Sequence, residues 1–221
     1  MRDIFEFLIG GGVPRDRKIT FFEIGAHVGK HTQAFLEIFP LADLWVFEPD
    51  PRNTAELKRL GFDKKCKLFD LAIGDRDGDM QMYLSSGRVQ KGDPRTTLQN
   101  WTFSSSLKKP KEHLKAAPWV KFEHFAKVKV ARLDTLKEQH GFGDIDFIWA
   151  DIQGAEDMMI AGGQQTLART KYLYTEYANN ELYEGQIPLD EIRKRLPGGP
   201  DTWEALAVFD DDVLLKNKSM F

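Results

Sequence analysis

The stretch that most limits how this chain can fold is Ile19-Thr20-Phe21-Phe22-Glu23-Ile24, which runs directly into Gly25-Ala26-His27-Val28-Gly29. A β-branched and aromatic run that breaks on glycines predicts a buried strand turning sharply into a helix. Lys30 to Phe39 places Ala34, Phe35 and Ile38 at helical spacing, and Pro40 closes that helix. A second apolar run, Leu44 to Phe47, stops at Glu48-Pro49-Asp50-Pro51, and Arg52 to Leu60 reads as a helix ended by Gly61. Cys66 to Ile73 is a third strand, and Asp77-Gly78 between apolar runs is a hairpin signal. Strand, helix, strand, helix, strand is the alternation of a parallel α/β sheet, which excludes an all-β sandwich or a helical bundle.

Further along, Val128 to Val130 predicts a short strand and Asp134 to His140 a helix. Ile145 to Ala150 is a buried strand ending at Asp151-Ile152-Gln153-Gly154, Ala155 to Leu167 a helix, and Tyr172 to Tyr177 a strand. A helix from Leu189 to Leu196 precedes two runs joined by Asp210-Asp211-Asp212, which implies a closing antiparallel hairpin. We expect one doubly wound domain over residues 1–221. The hydrophobic fraction of 42% is too high for disorder, and the single cysteine, Cys66, cannot form an internal disulfide. No basic leader precedes the first apolar stretch and no run reaches the length of a membrane span, so a cytoplasmic location is expected.

The net charge of −3 conceals an asymmetry: residues 87–132 hold eleven Lys and Arg against three acids, so it is the sum of +8 there and −11 elsewhere. This stretch, with its serines and prolines, reads as a basic insertion of loops and short helices facing the substrate, or else as a merely solvated one.

The turn carries the clearest chemistry. Glycines there let a ligand approach the backbone, and the helix N-terminus suits an anion. A dinucleotide turn needs three glycines, and this one has only Gly25 and Gly29. Glu23 would repel a pyrophosphate but suit an ammonium, which favours S-adenosylmethionine over a nicotinamide cofactor. Glu23 could alternatively cap the helix. Glu48, at the end of the second strand, is placed to accept both hydroxyls of a ribose.

These residues resemble the FkbM-type S-adenosylmethionine-dependent methyltransferases. Phe22 to Thr32, Val46 to Asp50 and Ala72 to Gly78 are similar to the family's first three strand ends, and Arg132 to Leu136 and Ile145 to Glu156 to its most specific stretches. The family usually has glutamate where this chain has Gln153, asparagine at His27 and aspartate at Glu23. The resemblance implies a Rossmann-like class I methyltransferase: α/β, with a mostly parallel seven-stranded sheet and an antiparallel C-terminal edge. It implies that Glu23, Gly25, Ala26, His27, Gly29 and Thr32 line the methionine end of S-adenosylmethionine. Glu48 and Pro49 would lie at the ribose, Asp70 and Ala72 near adenine, and Asp151 at the reacting end.

A hydroxyl nucleophile benefits from a base, and Asp151, Glu176 and His27 are the catalytic candidates. His31 on the same turn is a further possible base, and plainer readings exist: Asp151 as a helix cap, Glu176 as the partner of a lysine, and His31 as facing solvent on the first helix turn. Asp151, Glu176, Asn179 and Asn180 offer oxygen ligands, but no metal-ligand spacing occurs, and a divalent metal is not expected. Lys108, Lys109, Lys111, Arg88 and Arg95 could contact an anionic acceptor. The interleaved Trp101, Phe103, Trp119, Phe122 and Phe125 suit a nucleic-acid surface, though anchoring is the commoner use. The expected function is methyl transfer to a hydroxyl of a sugar or other small polar acceptor. The alternatives are a non-catalytic module binding glycan or nucleic acid, and a nicotinamide-dependent oxidoreductase.

Overall fold

The computed structural model describes residues 2–10, 13–87 and 101–221. Its main sheet has seven strands: β1 (Thr20–Ile24), β2 (Asp43–Phe47), β3 (Lys67–Phe69), β7 (Ile145–Ala150), β8 (Thr170–Glu176), β9 (Trp203–Val208) and β10 (Asp212–Asn217). They lie in the order β3-β2-β1-β7-β8-β10-β9. Only β10 runs against its neighbours, pairing antiparallel with both β8 and β9. The expected mostly parallel seven-stranded sheet with its antiparallel closing hairpin is therefore present. The strand order reverses beside β1, which opens a crevice above the carboxyl ends of β1, β2 and β7.

Alternation within each strand divides the core between two faces. Phe22, Trp45, Phe47 and Ile148 point to one face, where helices α5 (Leu133–His140), α6 (Glu156–Gly162), α7 (Gln164–Ala168) and α8 (Leu189–Arg195) cover them. Phe21, Val46, Phe147 and Tyr172 point to the other, under α1 (Arg2–Gly10), α2 (Lys30–Ile38) and α3 (Pro51–Arg59). Phe21, Phe22, Phe47 and Phe147 are fully buried, and each such side chain contributes about 1.5–3 kcal/mol by leaving water.

Four expectations change. The stretch 66–73 is two strands: β3 joins the main sheet, and β4 (Ala72–Ile73) leaves it for a second sheet of order β4-β6-β5. Asp77-Gly78 leads into β5 (Gly78–Gly87), but the antiparallel partner is β6 (Val120–Ala131), not β4. Asp77 instead accepts from the Arg132 N–H and the Thr135 hydroxyl, which fixes the entry to α5. The segment read as loops thus contributes a twelve-residue strand, besides the short α4 (His113–Ala116). Its alternating lysines point outward, a pattern easily taken for a solvated loop. The helix expected over 155–167 is broken at Gly163, where an added Cβ would lie 2.8 Å from Leu133 and 3.0 Å from a carbonyl. A last helical turn, α9 (Gly199–Thr202), precedes β9.

Candidate active site

A cleft lies at the carboxyl ends of β1, β2 and β7, with about 610 Å³ of space between atoms when its open mouth is included. Ile24, Phe47, Leu71, Ile73, Met82 and Leu107 supply apolar walls; Glu48, His27, Asn53, Asp151 and Gln153 supply polar groups. Of the residues expected at the cofactor, Gly25, His27, Glu48, Pro49, Ala72 and Asp151 line this cleft.

The others stand behind it. Glu23 is fully buried and receives the Thr32 hydroxyl at 2.6 Å as well as the Thr32 N–H, so it caps α2, as its plainer reading allowed. Its second oxygen, Oε1, is buried with no hydrogen-bond partner. Burial, reinforced by the nearby Glu48 and Asp151, pushes its carboxyl up to about 8. The two glycines serve internal packing. A Cβ on Gly25 (φ +88°) would sit 1.9 Å from the Asp151 carbonyl oxygen, and one on Gly29 (φ +85°) 2.5 Å from Phe62. They bring the turn against β7 and α2 against the Phe62 loop. Ala26, Gly29 and Thr32 lie under the turn, while exposed Asp70 pairs with Lys58 away from the cleft.

Glu48 is held by the backbone. Its Oε2 accepts the His27 N–H at 2.7 Å, and its Oε1 accepts the Asp50 N–H at 2.8 Å and, at 3.4 Å, the Asn53 amide. Burial pushes this carboxyl up to about 8 as well. His27 has a left-handed backbone (φ 52°), its ring stacks on Phe103 at 3.7 Å, and its Nε2 lies 2.7 Å from the Thr102 hydroxyl. Burial lowers the imidazole to about 4, so it is neutral near pH 7. His31, expected to face solvent, packs its ring 4.7 Å from that of Trp149 and is likewise lowered to about 4 by burial.

Residues from the segment after 100 close the cleft. Ser105 donates to Asp50 at 2.9 Å, and Asp50 also receives Arg52 at 2.6 Å. Ser106 donates to the Gln153 carbonyl at 2.7 Å. Trp101 packs on Trp119, and Phe122 on His113 and Tyr183, so these aromatics anchor the segment. Phe125 is 53% exposed. Its lysines face the acidic scaffold: Lys108 meets Asp157 at 2.7 Å, Lys109 meets Glu184 at 2.8 Å, and Lys111 meets Glu181. Arg88 and Arg95 lie outside the described residues.

The third group is an acid–amide chain. The Gln153 side-chain amide donates to Asp151 at 2.7 Å and to Glu176 at 3.1 Å. The Tyr183 hydroxyl lies 3.1 Å from Gln153 Oε1 and 2.9 Å from the Ser104 carbonyl. Glu176 therefore partners an amide rather than a lysine, and it reaches the cleft only through Gln153. Burial raises Asp151 to about 6, and burial with the Asp151 charge holds Glu176 well above the usual carboxylate range. Asn179 and Asn180 are exposed, and among the described residues no group of three His, Cys, Asp or Glu is placed to hold a metal ion. Thr102 and Tyr183 were missed in the sequence because they enter from loops far away in the chain, and Asn53 because an asparagine on α3 carries no signal of its own; Phe103 was marked only as one aromatic of the basic segment.

Comparison with known proteins bears on this arrangement. The chain is 40% identical over 203 residues, 90% of its length and 79% of the relative's, to the 2-O-methyltransferase NoeI of Sinorhizobium fredii (strain NBRC 101917 / NGR234). Among solved structures, a conserved hypothetical protein of Streptococcus pyogenes aligns over 100% of this chain and 98% of its own, with 10% identity and a TM-score of 0.47. A precorrin-6y C5,15-methyltransferase of Geobacter metallireducens GS-15 aligns over 96% and 84%, with 8% identity and a TM-score of 0.42. The profile of the methyltransferase FkbM domain matches residues 23–206, from the acid that caps α2 to the middle of β9. The residues that line the cleft, Glu48 and Asp151 included, fall within that match, which leaves out the start of β1 and all of β10, and the chain belongs to the FkbM methyltransferase family.

Proposed function

We propose that this chain, acting as one domain, methylates a hydroxyl oxygen of a sugar or similar small polar acceptor, with S-adenosylmethionine as donor. We further propose that the position methylated is a 2-hydroxyl, on the strength of the relative named a 2-O-methyltransferase. The observation that carries the reading is one continuous cleft with the Glu48 carboxylate at one end and Asp151 at the other, joined by apolar walls. That donor set suits an adenosine with hydroxyls to bind and no phosphate to neutralise. S-adenosylmethionine supplies, when bound, a methyl group on a sulfonium leaving group.

The protein's work is then alignment, exclusion of water and removal of one proton. Glu48 accepts the ribose hydroxyls. The apolar walls around Ile73 and Leu107 take the adenine, and the Gly25–His27 turn bounds the methionine end. Glu23, Ala26, Gly29 and Thr32 act by shaping that turn, and Asp70 takes no part. Asp151 receives the acceptor's proton, with Glu176 behind it. His27 is second choice as base, because its Nε2 must first leave Thr102. Residues 101–132 form the acceptor-facing wall. No step requires a metal.

The test is incubation with methyl-labelled S-adenosylmethionine and a panel of methyl glycosides, each paired with its 2-deoxy counterpart. Label should enter one glycoside and not its 2-deoxy partner. Equal labelling of both members would overturn the 2-hydroxyl assignment. Calorimetric binding of the cofactor with no glycoside labelled would overturn sugar methylation in favour of a non-catalytic module.

A further inference from the structure

Asp151 ends β7 and Glu176 ends the neighbouring β8, so the parallel pairing brings two carboxylates side by side. Like charges this close oppose each other's ionisation. Among the described residues nothing cationic lies between them; a single amide nitrogen, Nε2 of Gln153, donates to both, at 2.7 Å and 3.1 Å. Three features fix that amide. Its backbone is held in the left-handed region (φ 51°), its carbonyl accepts the Ser106 hydroxyl at 2.7 Å, and Tyr183 sits 3.1 Å from Oε1. Two carboxylate oxygens call for a donor between them, which assigns the NH₂ end to the acids, while the single Tyr183 proton is shared between Oε1 and the Ser104 carbonyl.

We propose that Gln153 is a positioning residue that holds Asp151 and Glu176 as a linked pair and keeps one of them ionised to receive the acceptor's proton. The amide does what a cation would do between two carboxylates: it offers one N–H to each. It adds no charge of its own, so an incoming neutral hydroxyl meets an acid with unspent basicity. The proposal rests on the reading of Asp151 as base.

The other charged and titratable groups facing the pair are Glu156 of α6, Asp211 and Asp212 of the closing hairpin, Glu23, and the Tyr174 and Tyr183 hydroxyls. Lys108, which pairs with Asp157, also acts electrostatically on Glu156. Apart from Lys108 these are acids or neutral hydroxyls, and none except Tyr183 touches Gln153. Loss of the amide therefore has no nearby donor to compensate it.

The experiment uses the full chain and does not depend on knowing the acceptor. Side-chain carboxyl titrations of Asp151 and Glu176 are followed by carbon-13 NMR in the wild type, Gln153→Glu and Gln153→Leu, with thermal melting as the folding control. Removing the donor, or adding a third carboxylate, should move the pair's titration to higher pH by about one unit or more. Once a labelled glycoside is in hand, the acid limb of the kcat/KM profile should move the same way, lowering the rate about tenfold at pH 6. If both variants melt early, Tyr183→Phe, which releases the amide's oxygen, should give a smaller shift of the same sign. Folded variants whose carboxyls titrate as in the wild type overturn the proposal. The base reading fails separately, if Asp151→Asn still transfers methyl at the wild-type rate while the Gln153 variants shift the titration.

Discussion

The two ends of the cleft hold their acids by different means. Glu48 is gripped by main-chain N–H groups of His27 and Asp50, which any residue at those positions would provide. Asp151 and Glu176 are gripped by side chains alone: Gln153, itself set by Ser106 and Tyr183. A contact made by the backbone survives substitution, and a contact made by a side chain can be retuned by one. The end assigned to the cofactor is thus fixed by the path of the chain, and the end assigned to the acceptor by residues free to vary. That division suits a family sharing one methyl donor.

The largest expected effect breaks the comparison at the acceptor end. Asp151→Asn should lower kcat by about 10²- to 10⁴-fold, the usual worth of a general base, with cofactor affinity in calorimetry little changed. Next, Glu48→Ala should weaken cofactor binding by up to about tenfold, as loss of a hydrogen-bond partner does. The same change strands the buried N–H groups of His27 and Asp50, so melting should fall by the equivalent of about 1–3 kcal/mol. A variant that binds cofactor normally would remove Glu48 from the ribose.

The third prediction concerns pH. Glu23 and Glu48 titrate near 8 in the folded chain, above their unfolded values near 4.5, so the folded state holds the extra protons. Their stabilising contribution is complete below about 4.5 and is lost as pH rises through 8. His27 and His31, lowered to about 4, act oppositely, but only below their unfolded value of 6.5. Between pH 6.5 and 8 Glu23 and Glu48 act with Glu156, pushed up by burial to about 7, and in the same direction, so the melting temperature of the cofactor-free protein should fall. Glu48→Gln should flatten that slope. The smallest effect is expected for Lys109→Ala: its pairing with Glu184 is solvent-screened, so melting should be unmoved.

Much of the fold was legible because it is written locally. The Ile19–Gly29 stretch announces strand, turn and helix within eleven residues, and Glu48 sits at the next strand end. The sequence also marked Asp151, since a carboxylate closing a buried run is a local pattern. The second sheet was hidden because β6 alternates outward lysines with inward Val128 and Val130, and its partner β5 lies more than thirty residues earlier in the chain. Gln153 stood out only as a departure from a family pattern. Its partners Glu176 and Tyr183 lie 23 and 30 residues away and meet it through the packing of β8 and the following loop. The +8 stretch misled in another way: Lys108, Lys109 and Lys111 are joined to scaffold acids, so charge segregated in sequence is mixed in space.

His27 and Gln153 are the non-glycine residues with left-handed backbone among those described, and they flank the cleft, one beyond β1 and the other beyond β7. Each conformation costs roughly 1–2 kcal/mol for an L side chain. Glycine at either position would relieve the backbone and could raise thermal stability. It would also delete the imidazole that stacks on Phe103 or the amide that links Asp151 to Glu176. For an engineer seeking a hardier enzyme these are the two positions to leave alone, because durability and activity pull there in opposite directions.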